Sequence, residues 1–135
     1  MIWKILLSVV LGFLIGLERE TTGKVIGIRT VSLITLGCTL FTLMSPLGAE
    51  DNSRVVAQIV SGLGFLGAGV IFKNGATVQG LTTAATIFCA GSIGALVGLS
   101  MFKEAILGTI AIIFINLVFK HFKDGINPKH SSEDM

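Results

Sequence analysis

The chain has 135 residues, ten Lys or Arg against eight Asp or Glu, a net charge of +2, and is 52% hydrophobic but only 13% charged. A soluble domain carries about 25% charged residues. A chain this short and apolar has too few polar side chains to cover itself in water, which places it in the membrane class. The small net charge and the lack of any Lys/Arg run with interleaved aromatics exclude a nucleic-acid binder.

Charged residues punctuate apolar runs close to the about 17 to 25 residues that a helix needs to cross a bilayer. The first run is Ile2 to Leu17, with Lys4 near its start and Glu18, Arg19 and Glu20 closing it. It has the layout of a signal peptide, but no small-residue cleavage pattern precedes the charged cluster, so a retained helix is expected. Ser8, Gly12 and Gly16 recur every fourth residue, a spacing that lets membrane helices approach closely. The second run is Thr30 to Ser45. At its junction with the first, Glu18, Arg19, Glu20, Arg29 and Thr30 are open to two arrangements. One is a solvated loop. The other is a partly buried Glu18–Arg29 bridge that fixes the two helices and offers a recognition surface.

The third run, Val55 to Phe72, contains Gly62-x-Gly64-x-x-Gly67, the spelling of a dinucleotide-binding turn. That fold needs a preceding strand and an acid about 20 residues on to hold the ribose. No Asp or Glu lies between Asp51 and Glu104, and apolar sequence continues on both sides, so the match is a coincidence of spelling. Ala57 and Ser61, then Gly64 and Ala68, form packing rows instead. Gly62, Gly64, Gly67 and Gly69 together fall on several helix faces, so this helix is either surrounded by neighbours or broken there as a transport site.

The fourth run is Thr82 to Met101, entered through Gly80, with Thr82 and Thr83 placed to cap its first amides and with Ala90, Gly94 and Gly98 as a further row. The fifth is Ala105 to Phe119. The expected organisation is one transmembrane domain over residues 1–122 and a polar cytoplasmic tail over 123–135, with His121 and His130 solvated in the basic C-terminal region. Cys38 and Cys89 sit in apolar surroundings with no CxxC spacing, as small hydrophobes.

An all-α bundle of five transmembrane helices follows. Seven Lys or Arg (Arg19, Lys24, Arg29, Lys73, Lys120, Lys123, Lys129) then share one side, against Lys4, Arg54 and Lys103 on the other. This asymmetry puts the N-terminus outside and the C-terminus in the cytoplasm. No Asp or Glu falls within a run, whereas a site for a hard divalent cation calls for carboxylates. Nucleophile triads, metal-ligand clusters and Walker-type loops are absent from the sequence, so no enzyme, metal or cofactor is expected.

The segments "GLERE" (Gly16 to Glu20), "GIRT" (Gly27 to Thr30), "SRVVAQIVSGLGFLGAGVIFK" (Ser53 to Lys73) and "GLTTAATIFCAGSIGALVGL" (Gly80 to Leu99) resemble the membrane domain of the MgtC/SapB proteins. The resemblance implies a bacterial inner-membrane protein linked to magnesium limitation and to survival inside macrophages. It implies a regulator acting through membrane partners such as ATP synthase, with a small-ion or magnesium-related transporter as the rival role. A homo-oligomer, in the first place a dimer, is expected in the lipid bilayer. By position the resemblance points to Glu18, Arg19, Glu20, Arg29, Thr30, Gly62, Gly64, Gly67, Gly69, Gly80, Thr82, Thr83 and Cys89. Some members carry Asn at the position of Thr82 and an acid near Asn74, and this sequence departs from both. Full-length members add a soluble ACT-like domain after the last helix, so this sequence, ending at Met135, is expected to be either a short form or a truncated piece of such a chain.

Overall fold

A computed structural model describes residues 1–45 and 49–126; the chain from 127 on, and with it most of the expected tail, lies outside the described residues. Five helices form: α1 (Ile2–Thr21), α2 (Ile28–Met44), α3 (Ala49–Gly69), α4 (Leu81–Gly98) and α5 (Phe102–Ile126), with a hairpin of β1 (Phe72–Asn74) and β2 (Thr77–Gln79) between α3 and α4. Each helix overlaps one of the apolar runs. By length and composition α4 and α5 suffice to cross a membrane, and the apolar α2, at 17 residues, is slightly shorter. The charged ends of α1 and α3 are continuous with their helices.

The helix ends have local causes. At the end of α1 the amide of Lys24 bonds the carbonyl of Arg19 and that of Gly23 bonds Glu20, both at 3.1 Å, the paired bonds of a Schellman stop. The end of α4 repeats the pattern, Met101 to Leu96 at 2.9 Å and Ser100 to Val97 at 3.1 Å. There the left-handed position is held by Ser100, with φ +66, where a Cβ costs about 1–2 kcal/mol. Ser100→Gly is therefore expected to raise the protein's stability by about 1 kcal/mol, measured as a higher melting temperature in detergent. The hairpin pairs Asn74 with Thr77 across Gly75 and Ala76. Gly75, at φ +63, supplies the positive φ that a two-residue hairpin turn requires. Gly80, at φ +86, lies so close to the Val70 carbonyl that a Cβ would overlap it.

The helix α4 touches the other four, and half of it is buried. On one side of it, α2 lies between two glycine rows. A Cβ on Gly12 of α1 would overlap the Thr35 hydroxyl, and one on Gly16 would press on the Ile28 backbone. From the other direction, a Cβ on Gly94 of α4 would overlap the Thr35 carbonyl, and one on Gly98 would lie 2.6 Å from Thr42 Cβ. Leu11, Ile15, Val31, Ile93 and Val97 fill the space between these contacts. The buried hydroxyls of Thr35, Thr39, Thr42 and Thr109 donate to carbonyls four residues earlier, at 2.8 to 3.1 Å. Thr39 Oγ1 also lies 2.8 Å from the Gly94 carbonyl, joining α2 to α4. The surface of α5 is dominated by exposed apolar side chains such as Leu107, Ile110 and Phe114.

The structure corrects both expectations for the third helix. It is unbroken through Gly62, Gly64 and Gly67 and ends at Gly69. Nor is it surrounded within the chain: a Cβ on Gly62, Gly64 or Gly69 would meet nothing within 4 Å, and one on Gly67 would make ordinary contact with Ala84 at 3.6 Å. The row of Ala57, Ser61, Gly64 and Ala68 is exposed, because α3 packs on α4 through the side that carries Leu63 and Gly67.

Candidate functional site

Successive helical residues point about 100° apart, and the last turn of α1 uses this to address three helices with three neighbours. Glu18 Oε2 accepts a hydrogen bond from Asn116 Nδ2 of α5 at 3.1 Å. Arg19 Nη2 donates to Thr83 Oγ1 of α4 at 2.7 Å. Glu20 Oε2 accepts from the amide of Ile28 at 3.0 Å, capping the first turn of α2 from outside it. A Cβ on Gly27 would touch that carboxylate at 2.6 Å, so the chain passes Glu20 as bare backbone.

Glu18 and Arg19 are buried, at 8% and 2% exposure. Burial lowers the Arg19 pKa from its ordinary value, and the Glu18 carboxylate acts in the opposite direction. Arginine remains charged all the same. Its Nε is buried with no hydrogen-bond partner. At the far end of the bundle Lys4 Nζ donates to the Gly98 carbonyl at 2.9 Å, so α1 is tied to α4 at both of its ends.

This geometry matches neither sequence-based arrangement of the cluster in full. Glu20, Arg29 and Thr30 are exposed, as a solvated loop would have them, but Glu18 and Arg19 are buried, and Glu18 bonds Asn116 rather than Arg29. The glycine contact at Gly16 sets the Ile28 backbone against α1. Arg29 and Thr30 are exposed and line an apolar groove between α2 and α3 together with Gly62. Thr82 and Thr83 do not cap α4, whose N-cap is Gly80 without a side-chain bond. Thr83 instead accepts from Arg19, while the Thr82 carbonyl accepts from the Thr86 hydroxyl at 2.9 Å. Cys89 is half-buried on α4 and apart from the charged cluster. Gly64 and Gly69 face open space on α3. Among the described residues no group of three or more His, Cys, Asp or Glu is placed to hold a metal ion.

Sequence reasoning missed one member of the site, Asn116, which stands alone as an amide in an apolar run, the signal for a buried polar partner. It also missed the tie that Lys4 makes to α4 at the opposite end of α1.

A helical membrane protein with a glycine-packed core and one buried charged end is what these features define. Residues 5–124 match the MgtC family, and the chain belongs to it. An uncharacterized protein of Synechocystis sp. is 42% identical over 134 residues, covering 96% of this chain and 57% of that protein. Protein MgtC of Salmonella typhimurium is 44% identical over 127 residues, covering 93% of this chain and 55% of its own length. Protein MgtC of Brucella abortus is 46% identical over 112 residues, 82% of this chain and 47% of its own. The chain thus spans about half the length of these relatives. No solved structure matches it.

Proposed function

We propose that the chain crosses the bacterial inner membrane five times, N-terminus outside, and acts as a regulator by binding another membrane protein. ATP synthase is the partner that the family resemblance suggests. The observation that carries this reading is that, among the described residues, the carboxylates stand only near helix ends, the deepest being Glu18, which reaches Asn116 of α5. Glu18 and Glu20 close α1 and Glu104 opens α5. The interior polar groups are mainly threonine hydroxyls bonded to carbonyls of their own helices, a poor lining for a cation path. The unbroken α3 gives the transporter alternative no discontinuous-helix site of the usual kind. The exposed row of Ala57, Ser61, Gly64 and Ala68 leaves a small-residue face of the kind through which membrane helices associate. A second copy, as a dimer, or the partner protein would seat there.

Co-purification from native membranes is expected to recover the partner with the wild type and to lose it with Gly64→Leu, while that variant stays folded. Purified protein in liposomes is expected to show no saturable magnesium uptake. Robust uptake would overturn the regulatory reading.

A further inference from the structure

The helices α2 and α3 stand apart along an open groove of about 1110 Å3. Its walls are apolar, with Leu33, Phe41, Ile59 and Leu66 among them. Two glycines, Gly37 on α2 and Gly62 on α3, line it, and a Cβ on either would meet nothing within 4 Å. The protein therefore leaves this volume unfilled by its own side chains. The charged residues among those described along the groove are Arg29 and Arg54, and none is acidic. Because α2 and α3 follow each other in opposite directions, the arginines mark opposite ends. Arg29 lies in the first turn of α2, and Arg54 beside the stretch where α2 finishes. At a rise of about 1.5 Å per residue, the 17 residues of α2 span about 25 Å, somewhat less than the about 30 Å of a bilayer's hydrocarbon core.

We propose that this groove is a binding site for anionic phospholipid, with acyl chains against the α2 and α3 walls and a phosphate at each arginine. Thr30 lies beside Arg29 and Gln58 one turn beyond Arg54, adding hydrogen-bonding groups at both ends. The charge selects the occupant. Guanidinium groups hold phosphate oxygens through paired, charge-assisted hydrogen bonds, and an arginine near each surface favours anionic over zwitterionic lipid. A polypeptide helix could cover the same walls, but it would need an acid placed to meet each of the two arginines. In a bilayer the phosphates of the two leaflets stand just outside the hydrocarbon core, and the long arginine side chains at the two ends of the groove can reach outward to them.

The proposal rests on the membrane reading, which would fail separately, as wild-type protein remaining soluble without detergent. Its test is native mass spectrometry of the full chain released from detergent after titration with phosphatidylglycerol, phosphatidylcholine or glycerol phosphate. Saturable retention of phosphatidylglycerol is expected, about tenfold or more above phosphatidylcholine, with no retention of glycerol phosphate. Arg29→Gln and Arg54→Gln are each expected to weaken retention about tenfold, the scale of one charge-assisted hydrogen bond. Gly62→Phe, which adds its ring at a position where a Cβ meets no atom within 4 Å, is expected to abolish retention at an unchanged melting temperature. Equal retention of the two lipids, or adducts indifferent to Gly62→Phe, would overturn the proposal. So would capture of glycerol phosphate alone, or a lipid-free dimer that Gly62→Phe dissociates.

Discussion

Gly94→Leu is expected to leave no folded, monodisperse protein in detergent, whereas Gly64→Leu, the same change on the next helix, melts like the wild type. Both glycines stand in small-residue rows, and their surroundings differ. A Cβ on Gly94 overlaps the Thr35 carbonyl and comes within 2.9 Å of Cys38 Cβ. The first obstacle is backbone and cannot rotate away. Accommodating it would separate α2 from α4, removing the Thr39 bond to Gly94 and the Gly98 contact with Thr42. Overpacking of a core costs about 1–3 kcal/mol when side chains can adjust, and a backbone obstacle puts this site at or above the upper end. Gly64 has nothing within 4 Å, so its change stays within the about 0.5 kcal/mol of ordinary surface substitutions. Thermal melting of the two variants side by side reads the difference.

The second large effect is expected at Arg19. Arg19→Leu removes the charge-assisted bond to Thr83 and leaves the buried Glu18 carboxylate without its neighbouring cation, a loss of about 1.5–3 kcal/mol. Thr83→Val acts in the same direction, because it strips a guanidinium whose Nε already lacks a partner. The double variant is expected to lose less than the sum of the two single losses, since both remove one interaction. Burial shields this group from counterions, so the effect is expected to persist at high salt. A cycle of melting temperatures at low and high salt checks both statements.

The helices were legible because apolar runs and charged boundaries coincide. The α1 and α3 helices run on into their charged ends, because a charge is compatible with helical backbone even where it marks the edge of an apolar run. The three-residue strands of the hairpin are too short to show alternation, although Asn74-Gly75 carried the turn signal. Spacing correctly exposed which helix faces are small. It could not tell which of those faces a neighbour covers, so the rows through Gly12 and Gly94 and the row through Gly64 look alike in sequence yet differ in the fold. The charged cluster was visible at Glu18 to Glu20, but its partners were not. Thr83 and Asn116 are 64 and 98 residues away along the chain, and only packing brings them together. Arg29, nearer in sequence, lines the groove between α2 and α3 instead.

The central claim, a five-crossing bundle with the Glu18 to Glu20 end inside, is tested most directly by single-cysteine labelling in intact cells. With Cys38 and Cys89 replaced by Ala, one variant carries Ala76→Cys at the hairpin tip and the other Met101→Cys between α4 and α5. An impermeant maleimide is expected to label Met101→Cys from outside and Ala76→Cys only after the membrane is opened. Labelling of both positions from the same side would contradict the account.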